Sequence, residues 1–373
     1  MIGHHYIEQR GIYLLSHSIG LPLVQSQSDA DAAYWQTWRQ ADSNIWPQWL
    51  AGIDDFRGQL GALLHASIAN ICPQTNISSA VGKVIFSLPA TQSKNIILLS
   101  QDDFPSVGYA LQQSQHIGYQ LRYLPSDADL LDLATWEKYL SDDVGLCLMT
   151  HVQSNTGRRL PIAEITELAR SKGIVSLVDI AQSVGIIPID VTQWQADFIV
   201  GSCVKWLSGG PGAGFLWVDS AMIEHCEPRD VGWFSHESPF EFDINQFRYA
   251  KDALRFWGGT PSVYPFLVAA SSLQFINQQG VERAQAHNVA LSRYLLEHMD
   301  PAHLVAPRAH QQRGGTLIFH FGERHSAVTE YLEHNNVQFD GRAKGIRLSP
   351  HLCNSTAQIS EIIDLINSAL GAD

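Results

Sequence analysis

The sequence is organised around residues 174–218, which read IVSLVDIAQSVGIIPIDVTQWQADFIVGSCVKWLSGGPGAGFLWV. A first apolar run ends at Asp179, a second run over 197–204 is followed by Lys205, and a third covers 214–218 after a glycine turn. Short runs rich in β-branched residues and bounded by turn residues are typical of buried strands. The stretch therefore predicts neighbouring strands with a carboxylate and an amine at two of their ends.

Asp179 and Lys205 allow a simple and a specific interpretation. A lysine after a strand is usually a solvated loop residue, and an aspartate at a strand end usually caps a helix. Burying both costs free energy unless something occupies the space between them. Pyridoxal 5'-phosphate (PLP) fits such a space, because a lysine amine forms its Schiff base and a carboxylate pairs with its pyridinium nitrogen.

Composition and charge narrow the class of protein. The 373 residues, 45% hydrophobic and 16% charged, suffice for two domains with sizeable cores. The formal net charge of -13 argues against a nucleic-acid or anionic-membrane partner. No apolar run is long enough to span a bilayer, and the start, MIGHHYIEQRGIYLL, lacks the pattern of a signal peptide.

The cysteines and histidines predict neither disulfides nor a metal site. The five cysteines are odd in number and widely scattered, which indicates reduced thiols in a cytoplasmic protein. The 16 histidines show no HExxH motif or paired ligand spacing. We therefore expect a cytoplasmic protein without a metal ion.

The segments before the central stretch predict an alternation of strands and helices. Residues 145–162 read as a buried strand that ends in a polar loop near Thr150, and a helix from Ile162 to Gly173 follows. Strand, helix and strand in alternation indicate a mainly parallel sheet, whose ligands collect at the carboxyl ends of the strands. Thr150, Asp179 and Lys205 all fall at such ends.

Two earlier segments read as helical. Residues 29–70 have apolar residues at spacings of three and four, and their four tryptophans are interpreted as packing. A second helix is predicted to start near Thr75, with the threonine as its N-cap. The free backbone N–H groups at such a start attract a phosphate.

The sequence motifs of these segments resemble those of the aminotransferase class V superfamily of PLP enzymes, and most closely those of its kynureninases. The family's Asp-Leu-Ala-His-x-x-Gly appears here as DIAQSVG over 179–185, and its Tyr-Lys-Tyr-Leu-Asn-Gly-Gly-Pro-Gly as VKWLSGGPG over 204–212. The resemblance covers nearly the whole chain. It implies an α/β protein of PLP fold type I, with a large PLP-binding domain over 50–262. Its mainly parallel sheet is sandwiched by helices, and a small α/β domain combines 1–49, an N-terminal arm included, with 263–373.

The resemblance also implies the cofactor site. Lys205 would hold PLP and act as general base, Asp179 would pair with the pyridine nitrogen, Gln182 would bond the ring hydroxyl, and Phe104 would stack on the ring. Gln74 and Thr75 match the pair that holds the phosphate, whereas Trp233 and Thr260 match residues that reach the phosphate of the other subunit, so a homodimer with shared active sites is expected. The full set of expected cofactor-binding residues is Gln74, Thr75, Phe104, Thr150, Asp179, Gln182, Ser202, Lys205, Trp233 and Thr260.

The substrate implied by the resemblance is an α-amino acid. Arg347 matches the arginine that clamps the substrate α-carboxylate, and a planar guanidinium suits that task. His17 and Ser18 match an Asn-Ser pair that lies near the substrate in kynureninases.

Three departures from the kynureninase pattern bear on the reaction. Val204 replaces a tyrosine, Gln182 a histidine and Val107 an aspartate. These changes slightly favour transamination-type chemistry through a Schiff base with the substrate. The first alternative is hydrolysis of L-kynurenine to anthranilate and alanine. The second alternative is a PLP-binding protein with little catalysis. Cysteine desulfurase activity is not expected, because residues 327–346 contain no cysteine nucleophile.

Overall fold

The computed structural model describes residues 3–40, 44–88 and 91–371. The strands within these ranges are β1 Ile12–Tyr13, β2 Ile71–Gln74, β3 Ile96–Ser100, β4 Gln120–Leu124, β5 Val144–Thr150, β6 Val175–Asp179, β7 Phe198–Ser202, β8 Gly214–Val218, β9 Leu317–Phe319, β10 Val337–Gln338, β11 Asp340–Arg342 and β12 Gly345–Leu348. The α-helices are α1 Val24–Asp31, α2 Thr37–Gln40, α3 Trp46–Leu64, α4 Ile77–Ser87, α5 Pro105–Gln112, α6 Leu133–Tyr139, α7 Ile162–Ser171, α8 Ser220–Ile223, α9 Tyr264–Gln279, α10 Val281–Glu297, α11 His325–His334 and α12 Thr356–Gly371.

Among the described residues the larger sheet has seven strands in the order β2-β8-β7-β6-β5-β3-β4. The pairs from β7 through β4 are parallel, and only β8 runs antiparallel to its neighbours β7 and β2. Thr150 pairs in register with Asp179, which pairs with Val200. The predicted mainly parallel sheet, and the three strands of the central stretch, are confirmed.

Both faces of this sheet are buried. Along β6, Leu177 packs into one apolar cluster and Val178 into another, and Phe198 and Ile199 alternate in the same way on β7. Successive side chains of a strand point to opposite faces, so helices must cover the sheet on both sides. Helices α3, α7 and α9 contribute to the first-side cluster around Val178, and α4 and α5 to the opposite one.

A second, smaller α/β unit is built on the antiparallel sheet β11-β12-β9. Its apolar cluster includes residues of α10, α11 and α12, and the parallel pair β1–β10 ties the N-terminal segment to it. Helix α9 packs in the large-sheet cluster, although the expected boundary after residue 262 assigns it to the small domain. The domain limits 50–262, and 1–49 with 263–373, stay predictions.

The helix predicted over 29–70 is divided in the structure. It comprises part of α1, a π-helical segment Ala32–Gln36, α2 and α3, and β2 already begins at Ile71; residues 41–43 lie outside the described chain. Of the four tryptophans only Trp49 is buried; Trp35 and Trp38 stack on each other at 5.7 Å but are 45% and 46% exposed, so the packing prediction holds in part. Over the described ranges no helix is long and apolar enough to cross a bilayer.

Candidate active site

A cavity of about 530 Å³ opens at the carboxyl ends of β5, β6 and β7. Parallel strands bring their carboxyl ends to one edge, which is where open α/β sheets bind ligands. The lining residues are Asn76, Ile77, Ser78, Phe104, Ser106, Val107, Thr150, Val152, Ser154, Asp179, Ala181, Gln182, Ser202, Val204 and Lys205. Six of the residues predicted to bind the cofactor are therefore brought together here.

Lys205 lies three residues beyond β7, and its side chain faces this cavity. Its Nζ is 5.8 Å from the centroid of the Phe104 ring and makes no hydrogen bond or ion pair with any described residue. Burial lowers the pKa of Lys205 to about 8, although the nearby Asp179 carboxylate opposes that shift. An amine in this state is partly neutral near physiological pH and can act as a nucleophile.

Asp179 ends β6 and is 5% exposed. Its Oδ1 accepts a hydrogen bond from the backbone N–H of Ala181 at 2.8 Å. Burial raises the pKa of Asp179, and the positive charge of Lys205 partly offsets the rise. A cationic ring nitrogen between the two side chains would stabilise the carboxylate, so the pair fits the predicted cofactor.

The amino-terminal end of α4 lines the same cavity. Asn76 is the N-cap, because its Oδ1 accepts from Ser79 N at 2.9 Å and α4 begins at Ile77. The predicted cap, Thr75, is therefore wrong by one residue. Free N–H groups at a helix start suit a phosphate, and Asn76 and Ser78 lie beside them.

The two residues predicted to hold the phosphate lie outside the cavity lining. Gln74 is buried, and its Nε2 donates to the Phe256 carbonyl oxygen at 2.9 Å. Thr75 is exposed, and its Oγ1 donates to Ser79 Oγ at 3.3 Å. Their contact with a phosphate stays a prediction.

Asp103 is a site residue that the sequence reasoning missed. Thr150 Oγ1 donates to Asp103 Oδ1 at 2.7 Å, and Ser100 N donates to Oδ2 at 2.7 Å. Burial, aided by the neighbouring Asp179, raises the pKa of Asp103 to about 7 against these hydrogen bonds. Its position just after β3, another parallel strand of the site, was the available signal.

Arg347, predicted to clamp the substrate, is 2% exposed and already paired. Its Nε donates to Asp340 Oδ1 at 2.7 Å and its Nη2 to Oδ2, while Nη1 donates more weakly to the Ser154 carbonyl oxygen at 3.3 Å. Asp340 lies opposite Arg347 in the β11–β12 hairpin. The sequence reasoning missed this carboxylate, although a hairpin register would have placed it there.

His17 belongs to the same network. Its Nε2 contacts Asp340 Oδ1 at 2.8 Å and its Nδ1 contacts Ser349 Oγ at 2.7 Å. Burial lowers the pKa of His17 to about 4, so the ring is neutral at pH 7. Its backbone carbonyl accepts from Gln182 Nε2 at 3.0 Å, which positions that cavity residue. Ser18 is half-buried beside it, and the substrate contacts predicted for both stay predictions.

Trp233 and Thr260 lie outside the cavity. The Trp233 ring contacts an aromatic group that includes Trp46 at 5.7 Å and Phe234 at 4.5 Å, and Thr260 is exposed. Both residues were predicted to act on the other subunit of a dimer. That role stays a prediction.

Two valines that replace polar residues of kynureninases, and the lack of a lining cysteine, limit the chemistry that the cavity walls can supply. Val107 and Val204 present only methyl groups to the cavity, and no cysteine lines it. Cys353 is the least buried thiol, and burial raises its pKa to about 12. In the described chain no group of three or more His, Cys, Asp or Glu side chains could hold a metal ion.

Comparison with known sequences identifies relatives that cover most of the chain. The Aminotransferase class-V family model matches residues 41–346. The chain is 29% identical over 321 residues to the uncharacterized aminotransferase YcbU of Bacillus subtilis, covering 86% of this chain and 85% of that protein. It is 28% identical over 294 residues to the kynureninase of Deinococcus radiodurans, covering 76% and 70%. It is 25% identical over 341 residues to that of Pseudomonas fluorescens, covering 86% and 80%.

Solved structures show the same fold. The apo cysteine desulfurase of Thermococcus onnurineus superposes with a TM-score of 0.85 at 19% identity, over 96% of this chain and 94% of that one. The cystine C–S lyase C-DES superposes with a TM-score of 0.85 at 21% identity, over 95% and 96%. These matches confirm PLP fold type I, and the predicted cofactor, pyridoxal phosphate, agrees with the family and the cavity. With the family model spanning most of its 373 residues, the chain belongs to the Aminotransferase class-V family.

Proposed function

We propose that this protein is a PLP-dependent enzyme that acts on an α-amino acid, with transamination-type chemistry favoured over hydrolysis of kynurenine. One observation carries the proposal: the unpartnered Lys205 amine faces a cavity that it shares with Asp179. A buried amine and a buried carboxylate without a mutual ion pair are costly, unless a ligand uses both.

Each side chain has a defined task in this proposal. Lys205 would hold the cofactor through its amine and, as a free amine, would move the proton at the substrate Cα. Asp179 would pair with the ring nitrogen, and Phe104 would cover one face of the ring. When bound, the cofactor supplies an electron sink for the negative charge that develops at Cα.

The walls of the cavity favour the simpler reaction. Moving a proton at Cα needs only Lys205 and Asp179, whereas cleaving a Cβ–Cγ bond needs further proton transfers at the γ-carbonyl. Val204 offers neither a donor nor an acceptor there. Losing one well-placed acid or donor typically costs about 10²- to 10⁴-fold in rate.

Kynurenine hydrolysis is the second candidate. It is supported by the two bacterial kynureninases at 28% and 25% identity. Asp103 does not line the cavity, but it accepts a hydrogen bond from the lining residue Thr150 and is a carboxylate that could compensate for the missing aspartate. A PLP-binding protein with little catalysis is the third candidate, and the test below separates all three.

The substrate carboxylate is assigned to Arg347. Asp340 holds the Nε edge of its guanidinium, and only a 3.3 Å bond to Ser154 engages Nη1. Ser154 itself lines the cavity, so this end of Arg347 lies directly behind the cavity wall. A guanidinium fixed on one edge can bind a carboxylate through the other.

We further propose a cytoplasmic homodimer. Phe242 is 74% exposed and Ile244 is 98% exposed in a loop next to the Trp233 aromatic group. Exposed apolar patches of this kind mark interaction surfaces, and most soluble oligomers are two-fold dimers. The free cysteines suit a reducing compartment.

The test is to incubate the PLP-loaded enzyme with L-kynurenine and with a panel of amino acids, and to follow anthranilate, keto acid and pyridoxamine phosphate. Keto acid with pyridoxamine phosphate is expected, with little or no anthranilate. Rapid release of anthranilate would establish the second candidate. A cofactor spectrum that responds to no amino acid would leave only the third.

A further inference from the structure

Two guanidinium groups meet at one wall of the cavity. Arg347 Nη1 donates to the Ser154 carbonyl oxygen at 3.3 Å, and Arg342 Nη1 donates to Ser154 Oγ at 3.2 Å. Ser154 is 8% exposed and lines the cavity. Arg342 also lies near the predicted stacking residue, because its guanidinium carbon is 5.5 Å from the centroid of the Phe104 ring.

The two arginines differ in their counter-ions. Arg347 donates hydrogen bonds to both carboxylate oxygens of Asp340, so its positive charge is neutralised within the protein. Arg342 bonds only the neutral acceptors Ser154 Oγ and Asn155 Oδ1, each at 3.2 Å, and no described carboxylate lies within 4 Å of it. Two other cations lie nearby: Lys344 pairs with Asp102 at 3.1 Å, and Lys205 is the amine assigned to the cofactor.

The backbone explains why Arg342 points to this corner. Residues two apart on a strand share a face, so Arg342 lies on the same side of β11 as Asp340, which reaches Arg347. The pair Asp340–Arg347 contributes no net charge, and Arg342 adds one positive charge. One anion therefore balances this corner.

We propose that Arg342 is a second arm of the substrate carboxylate site and supplies its uncompensated positive charge. This inference rests on the proposed amino-acid substrate. Arg347, fixed by Asp340, gives the carboxylate its orientation, and Arg342 gives it its counter-ion. One net charge suits the single α-carboxylate of an amino acid whose side chain is not acidic. Arg342 is exposed, so its side chain can adjust when the carboxylate arrives.

The experiment measures binding of propionate, a carboxylate without an amine, to the PLP-loaded protein by calorimetry. Arg342→Gln is expected to weaken propionate about 10- to 100-fold, the usual range for a hydrogen bond to a charged group. Arg342→Lys keeps the positive charge but not the forked guanidinium, so it should lose less propionate affinity than Arg342→Gln. Lys344→Gln is the matched control, because its charge is already paired, and it should change the affinity less than about twofold.

A double variant tests the charge argument itself. Asp340→Asn frees the charge of Arg347, so adding it to Arg342→Gln should recover much of the lost propionate affinity. Equal propionate affinity in wild type and Arg342→Gln would overturn the proposal, and so would a double variant no better than Arg342→Gln alone. Far-ultraviolet circular dichroism shows that each variant is folded.

Failure of the proposed function is seen separately. If the cofactor spectrum of the wild type responds to no amino acid, the proposed function fails while the propionate series still decides the role of Arg342. If amino acids bind, L-alanine should lose affinity in Arg342→Gln, whereas ethylamine, which lacks the carboxylate, should not. Equal losses for the two ligands would contradict the assignment.

Discussion

Lys205 is the residue whose protonation controls the rest of the site. Its ammonium form is disfavoured by burial, while Asp179 favours it, and the balance leaves its pKa at about 8. The neutral amine is the nucleophile, so the fraction able to attach PLP grows as the pH rises towards and past that value.

We therefore expect the rate of PLP capture by the cofactor-free protein to rise with pH through about 8 and to level off above it. Stopped-flow absorbance at a series of pH values measures this rate. Asp179→Asn removes the carboxylate that favours the charged amine, so its midpoint should lie at lower pH. A rate that still climbs steeply near the pKa of a free lysine, about 10.4, would show that the amine is not desolvated.

At the scale of elements, helix α4 begins at the cavity because Asn76 caps it. Its Oδ1 satisfies Ser79 N, and the cap leaves the other first-turn N–H groups free towards the cavity. Thr75, one residue earlier, bonds no backbone N–H of the helix: its hydroxyl donates to Ser79 Oγ at 3.3 Å and accepts from Asn76 Nδ2 at 3.3 Å. The two neighbours should therefore differ in their contribution to stability.

Asn76→Ala should lower the free energy of unfolding by about 0.5–2 kcal/mol through loss of the N-cap, and should weaken PLP binding. Thr75→Ala is the control and should change stability by less than about 0.5 kcal/mol. Urea unfolding of the cofactor-free proteins and PLP titration measure both effects. If Thr75→Ala lost more unfolding free energy than Asn76→Ala, Thr75 would be the N-cap, as predicted from the sequence.

The strand ends of the site could be predicted from the sequence, because they depend on local pattern. Thr150, Asp179 and Lys205 each follow a short apolar run, and parallel strands bring such ends together. The direction of the Gln74 side chain could not be predicted, since the carbonyl that it bonds belongs to Phe256, far along the chain. Long-range partners of this kind leave no local signal.

The small sheet illustrates the same limit. A small α/β domain was expected here, but the pairing of Asp340 with Arg347 depends on the register of the β11–β12 hairpin. A shift of one residue would turn Asp340 away from Arg347. The family resemblance therefore pointed to Arg347 as the expected clamp but not to the carboxylate that neutralises it.

At the scale of the whole molecule, the exposed apolar loop near Trp233 is the feature that a single chain does not explain. Phe240 is 47% exposed, Phe242 74% and Ile244 98%. Such side chains cost free energy in water, and a two-fold contact would cover the same loop on both subunits. The predicted roles of Trp233 and Thr260 in the partner's site require such a contact.

Replacing both Phe242 and Ile244 with serine should weaken the dimer at least about tenfold, because two large apolar side chains lose their burial. Sedimentation equilibrium measures the change. Val24→Ser is the control, since Val24 is 57% exposed outside this loop. A wild-type protein that is monomeric while loaded with PLP would contradict the dimer.

The central claim, that Lys205 holds PLP at this cavity, is tested most directly by reducing the yellow, PLP-loaded protein with borohydride and mapping the modified peptide by mass spectrometry. The label should lie on Lys205 alone, and Lys205→Ala should carry none. A reducible attachment at another lysine, or one that persists at the cavity in Lys205→Ala, would contradict the account.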